Sequence, residues 1–308
     1  MGIENQTSKN FILLGLSDNP HLQVILLMVF LIVYISTVAG NFLLIIAVRV
    51  DHRLHTSMYY FLSNLSFLDI CYTSIIVPKM LVNIAVSSSI ISFSGCLLQV
   101  FFYLFMGETE CVLLAFMAYD RFVAICNPLR YNVIMNIVTC GRMISVSWVT
   151  GCIISLIDIY FVYQLKFCGP TTIIDHFFCE APSLIQLACN DVSVNNIVML
   201  VGSTIVLLIP LSLILFSYVQ IFLVILKLQS GRYKAFSTCV SHLIVVILFY
   251  GTGIFMYMRP RHRTSSVHDK IVAVFYTIIT PILNPLIYSL RNKDVHRALK
   301  QLERSVVI

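Results

Sequence analysis

The chain has 308 residues, 59% of them hydrophobic and only 11% charged, with a formal net charge of +6. A soluble domain carries about 25% charged residues, so a single water-soluble core is excluded and a bundle of membrane helices fits instead. The positive balance is no nucleic-acid signal, because the Lys and Arg lie between apolar runs and no basic stripe alternates with aromatics.

Residues 1–22 are polar and lack the basic, apolar and small-residue pattern of a cleaved signal, so the first apolar segment is expected to act as an uncleaved one. Asn5-Gln6-Thr7 matches the glycosylation acceptor N-x-T. Seven apolar segments follow, at 23–48, 56–78, 97–120, 143–163, 196–226, 235–258 and 271–290. Each is long enough for a span of about 20 residues. A shorter apolar stretch, 80–94, is broken by Ser87-Ser88-Ser89 and reads as the end of helix two plus a short outer loop. The connections are short and no internal repeat is visible. The expected fold class is all-α: a seven-transmembrane helix bundle forming one domain over 1–308, with a short amphipathic C-terminal helix. Helices occupy 23–290 and a cytoplasmic tail 291–308. The stretch 292–304 is basic, with Val295, Ala298, Leu299 and Leu302 on one side, and is expected to lie on the inner leaflet.

Orientation follows from Lys and Arg in short loops. With the N-terminus outside, thirteen fall on the cytoplasmic side and seven on the outer side. Arg259, Arg261 and Arg263, in the last outer loop, run against the rule. In this orientation Cys96, Cys168, Cys179 and Cys189 lie outside, where disulfides form, and three pairings are open to them. Cys71, Cys111, Cys126, Cys140, Cys152 and Cys239 read as buried small hydrophobes or reduced thiols.

Charges inside apolar runs are few and costly, which makes them informative. Residues 117–131, MAYDRFVAICNPLRY, place Asp120 and Arg121 at the end of the third run. The carboxylate can hold the guanidinium until a partner takes it, the logic of an ionic switch. Asp69 and Glu110 are mid-membrane carboxyls. With Asn41, Ser66 and Asn284 they would form a polar cluster. Pro281 and Pro285 leave carbonyls unpaired in helix seven, and Asn284 is placed to satisfy some of them. At about 1.5 Å per residue, Cys96 stands ~37 Å from Arg121 and Glu108 ~20 Å from it. Glu108 therefore sits above mid-membrane, where it is expected to meet an amine or a hydrogen-bonding oxygen of a ligand, or else a helix neighbour such as Ser155 or Ser203. Asp158 is a second isolated carboxyl, with a weaker case for ligand contact.

Several strings taken together resemble an olfactory receptor of the rhodopsin-like G-protein-coupled class. They are Gly40-Asn41, LHTSMYYFLSNLSFLDI at 54–70, MAYDRFVAICNPLRY at 117–131, Ser217-Tyr218, KAFSTCVSH at 234–242 and PILNPLIYSLRNKDV at 281–295. The HTSMYYF form and the short outer loops resemble the tetrapod-type group. The resemblance implies a receptor, not an enzyme, that binds a small, mostly apolar odorant and activates the stimulatory olfactory G protein to raise cyclic AMP. It implies the plasma membrane of olfactory cilia. An olfactory-type receptor tuned to a metabolite outside the nose is the alternative. The implied pocket comprises Tyr103, Leu104, Gly107, Glu108 and Cys111 of helix three, and Gly202, Ser203 and Val206 of helix five. Gly253, Ile254 and Tyr257 of helix six and Thr277 of helix seven complete it, with Tyr250 as floor and Glu180 and Ala181 as lid. The implied switch is Asp120, Arg121, Tyr218, His242 and Tyr288. The implied disulfides are Cys96–Cys179 and Cys168–Cys189. No cofactor is implied beyond a sodium ion at Asp69, Glu110 and Asn284, for which a protonated, water-bridged cluster is the rival. His176-Phe177-Phe178-Cys179-Glu180 resembles a metal-binding triplet, but a disulfide-bonded Cys179 is no thiolate ligand. Phe122, Asn127 and Ser57 stand where the family usually has Tyr, His and Pro, and the loop 226–234 is short.

Other classes fit less well. An opsin needs a Lys in helix seven, and 271–290 has none. A transporter would show inverted repeats and broken helices. A membrane enzyme would show a motif such as HExxH or GxSxG, and neither occurs. An aminergic receptor would carry Asp where Tyr103 stands.

Overall fold

A computed structural model describes residues 10–86, 89–168, 172–227, 232–258 and 266–290, together with 295, 297 and 298, apart from the side chains of 232–238, 266 and 288–290. Asn5, Arg259, Arg261, Arg263, Leu299, Leu302 and the side chain of Tyr288 lie outside the described residues. Among the described residues seven helices are long and apolar enough to cross a membrane. Helix one is Pro20–Val50, helix two Ser57–Val86, helix three Phe93–Cys126, helix four Ile137–Tyr163, helix five Ser193–Lys227 and helix six Arg232–Tyr257. Helix seven combines Ser266–Val274, a π-helical turn Phe275–Ile279, and Thr280–Leu290.

The helices begin or end beyond their apolar runs because polar residues cap them. Asn19 starts helix one with Pro20 at the first position, and its Oδ1 accepts the main-chain N–H of His21 at 3.0 Å. Ser92 accepts from Gly95 N at 3.1 Å to start helix three. Asn136 accepts from Thr139 N at 2.9 Å to start helix four. Asp191 precedes helix five and accepts both the main-chain N–H and the hydroxyl of Ser193. These donors favour its ionised form and lower its pKa.

Large apolar side chains such as Ile32, Ile153, Phe216 and Ile247 face outward, as lipid-facing positions do. Helix three is the buried centre. Close approach to helix four depends on Gly151, which is buried. A Cβ there would collide with Thr109 Oγ1 and stand 2.9 Å from Thr109 N. Gly40 of helix one packs against Pro285 of helix seven, with 3.6 Å between a built Cβ and Cγ.

Pro285 cannot donate to the carbonyl of Pro281, four residues back. That carbonyl is taken by Asn41 Nδ2 of helix one at 3.1 Å. The expectation that Asn284 would serve it is corrected: Asn284 Nδ2 turns to Asp69 instead.

The all-α bundle carries one small addition. Strand β1 (Asn10–Leu13) pairs antiparallel with β2 (Ile90–Ser92) and parallel with β3 (Thr172–Ile174), in the order β2-β1-β3. Phe11 and Leu13 alternate onto one buried face. The N-terminal stretch read as a polar tail thus supplies a strand, and part of 80–94 read as a loop supplies its partner. This sheet and the bonds Cys96–Cys179 and Cys168–Cys189 lie at the same end of the bundle. Arg121 marks the opposite end. Val295 and Ala298, past helix seven, are buried.

Candidate functional site

Three polar sites lie along the bundle. At the Arg121 end, Asp120 is fully buried and its Oδ2 lies 3.8 Å from Arg121 Nη2. The closer partners are hydroxyls. Ser57 Oγ donates to Asp120 Oδ1 at 2.6 Å and Tyr131 OH at 2.9 Å, and the two hydroxyls also bond each other. Burial, and then the charge of Asp120, push the Tyr131 phenol up to about 12, so it stays a protonated donor at neutral pH. Ser57 entered the sequence reading only as a departure from the family's usual Pro. Its role depends on a partner 63 residues away. Helix five and helix six close over this end. Ile221, Ile225 and Cys239 form a buried cluster against Phe122, Ile125, Cys126 and Tyr218. Tyr218 OH bonds His242 Nδ1 at 2.8 Å, and the rings stack with centroids 5.8 Å apart.

The second site is the mid-bundle polar cluster. Asp69, Glu110, Ser66 and Asn284 are all buried. Asn284 Nδ2 donates to both Asp69 oxygens, at 3.0 and 3.1 Å. Glu110 Oε1 and Asn284 Oδ1 are buried acceptors without a hydrogen-bond partner. A cation held here would meet these acceptors, with the two carboxyls balancing its charge. Among the described residues no group of three or more His, Cys, Asp or Glu could hold a metal ion, so an ion here would depend on amide or hydroxyl oxygens as well.

The third site is a cavity lined by helices two to seven. Its space is about 850 Å³ when the open solvent at its mouth is included. Ten residues of the implied pocket line it, Tyr103, Leu104, Gly107, Glu108, Cys111, Ala181, Ser203, Val206, Gly253 and Tyr257, and so does Asp158. Five others lie off its lining. Glu180 is buried and accepts from Ser183 Oγ at 2.7 Å. Gly202 faces Asp158. Tyr250 is buried and donates to the carbonyl of Cys111 at 2.7 Å. Thr277 is buried and donates to Ala273 O at 2.6 Å. Ile254 packs against the core.

Sequence reasoning missed Tyr72, Phe161, Asn195, Phe249 and Tyr276, which also line the cavity. Tyr276 completes its most ordered feature. Tyr103 OH bonds Tyr257 OH at 2.7 Å and donates to Tyr276 OH at 2.6 Å. This hub joins helices three, six and seven through side chains that face the cavity. Phe178 packs on Tyr103 with ring centroids 5.1 Å apart, bringing the disulfide-bonded loop against the hub. Cys179 N donates to Gln99 Oε1 at 2.9 Å and fixes that loop to helix three. Tyr276 was hidden because its helix makes a π turn at 275–279, which rotates the side chains away from a regular helical spacing.

The olfactory receptor family profile matches residues 30–304. The chain is 51% identical over 294 residues to olfactory receptor 2K2 of Homo sapiens, covering 95% of this chain and 92% of that protein. It is 50% identical to olfactory receptor 13D1 of Homo sapiens, over 95% and 85% of the two chains. It is 48% identical over 305 residues to olfactory receptor-like protein OLF3 of Canis lupus familiaris, covering 98% and 96%.

Proposed function

Because the chain belongs to the olfactory receptor family, we propose that its cavity is an odorant site whose occupation drives signalling through a G protein at the Arg121 end. The chain is a multi-pass plasma membrane protein of a receptor family, not an enzyme family. The finer reading puts the N-terminus and the strand end outside the cell. It takes the stimulatory olfactory G protein as partner, cyclic AMP as output and sensory cilia as location.

One observation carries the coupling. Helix six is tied to helix three twice, at the cavity by Tyr257 to Tyr103 and just off its lining by Tyr250 to the carbonyl of Cys111, which itself lines the cavity. A ligand among these residues changes the free energy of those ties. It shifts the population toward the arrangement it binds better, by no more than that difference in affinity. At the other end of helix six, Cys239 and His242 pack on helices three and five beside Arg121. Displacement of helix six there uncovers a permanently charged guanidinium for a partner.

The lining is mostly apolar, so affinity comes chiefly from burial. A small odorant burying roughly 250 Å² gains about 6 kcal/mol at ~25 cal/mol/Å² before entropy costs, which leads to micromolar or weaker binding. Asp69, Glu110 and Asn284 are proposed to hold a sodium ion. When bound it would neutralise the buried carboxyls and favour the packed arrangement.

Gly107 provides the test of the ligand site. A Cβ there would meet Tyr72 at 3.8 Å, so the backbone accepts a side chain that then projects into the cavity. Gly107→Leu is expected to weaken every agonist by about tenfold or more while surface expression holds. Unchanged agonist potency in Gly107→Leu would remove the cavity from the mechanism.

A further inference from the structure

The cavity has one acidic corner. Glu108 of helix three and Asp158 of helix four both line it, close enough for their carboxyls to act on each other electrostatically. Glu108 is only 8% exposed, and its Oε2 is buried without a hydrogen-bond partner. The two neighbouring hydroxyls are engaged elsewhere: Ser155 Oγ donates to Gly151 O at 2.8 Å and Ser203 Oγ to Met199 O at 2.6 Å. Gly202 of helix five leaves Asp158 open to approach, since a Cβ there would stand 3.6 Å from Oδ1.

Nothing on the described walls compensates the acids. The lining contains no Lys, Arg or His. Two carboxyls placed side by side at low dielectric repel when ionised, and a cation between them relieves that repulsion. A buried carboxyl pair is best stabilised by a cation that also donates hydrogen bonds. An alcohol brings a single donor and no charge. A metal ion would need more ligands than these two carboxyls, and no larger group of metal-binding side chains occurs among the described residues. Beyond the corner the wall is hydrocarbon, from Phe161, Val206, Leu207 and Phe249. A protonated amine on a small apolar skeleton satisfies both ends, with its ammonium on the carboxyls and its carbon chain along the wall.

We infer that Glu108 and Asp158 form a cation subsite in the cavity and that the ligands it selects are small aliphatic amines in their protonated form. The inference rests on the reading of this cavity as the odorant site and narrows it from apolar molecules in general to a charged class.

The test uses the purified full-length receptor and its melting temperature. Hexylamine and cyclohexylamine are compared with hexanol and cyclohexanol, which share their skeletons. The amines are expected to raise the melting temperature saturably, and the alcohols to do so far more weakly. Glu108→Gln and Asp158→Asn are each expected to weaken the amine roughly 10- to 100-fold, the loss that follows removal of a charged hydrogen-bond partner. If Glu108→Gln fails to fold, Asp158→Asn decides alone, because Asp158 is the less buried of the two. Amines that stabilise the wild type no better than their alcohols overturn the inference. So does amine affinity that is unchanged in a folded variant. Signalling in cells separates the two levels. A receptor that answers the alcohols but shows no amine preference loses the cation subsite and keeps the odorant reading. Amine binding that both variants abolish, with no signalling from any ligand, keeps the subsite and removes the receptor reading.

Discussion

Asp120 is a fully buried carboxylate whose charge is supported more by hydroxyls than by the adjacent guanidinium. The bond to Ser57 at 2.6 Å is shorter than the 3.8 Å contact to Arg121. Removing a hydrogen bond to a charged group costs about 1.5–3 kcal/mol when the group stays buried. Ser57→Ala is therefore expected to raise ligand-independent signalling by roughly tenfold, provided the bond exists only in this packed arrangement. Basal cyclic AMP per receptor at the surface measures this, and an unchanged basal level would show that Ser57 is not part of the restraint. The pair Asp120–Arg121 was legible because charges at the end of an apolar run stand out. Ser57 and Tyr131 were not, because an uncharged hydroxyl gives no signal until folding brings it to its partner. Glu108 was legible for the same reason as Asp120. That Asp158, 50 residues on, lines the same corner depended on how helices three and four cross.

The helices themselves were legible from hydrophobicity, and their ends were the less readable part. Each of the seven runs lies within a helix or within one residue of its end, and capping residues such as Asn19, Ser92 and Asn136 carry the helices past the apolar stretch. Strands of three or four residues gave no comparable signal. Strand β1 forms because Phe11 and Leu13 alternate onto the core beside Ile91, a pairing across 80 residues. Gly151 shows what sets the spacing of two elements. A Cβ would meet the main chain of helix three at 2.9 Å, so helix four approaches this closely only with glycine there. Gly151→Val is expected to destabilise the bundle by about 1–3 kcal/mol, the usual cost of overpacking. A melting temperature equal to that of the wild type would contradict this account of the helix three–helix four crossing.

At the scale of the whole molecule, one buried helix connects the two ends. Helix three carries Cys96 at the disulfide end, Tyr103 and Glu108 at the cavity, Glu110 at the polar cluster and Asp120 and Arg121 at the far end. Helix six is bonded to it at Tyr250 and Tyr257. In the proposed coupling, binding energy released at the cavity acts on the packing around Arg121 through these two bonded helices. The most direct measurement is the cyclic AMP response of cells expressing this chain to a diverse panel of amines, alcohols and acids. An Arg121→Ala variant at matched surface density serves as the control. The account predicts a concentration-dependent rise for at least one ligand in the wild type and its loss in Arg121→Ala. A ligand response of equal size in Arg121→Ala would contradict it, because the guanidinium would then play no part in passing the signal to a G protein.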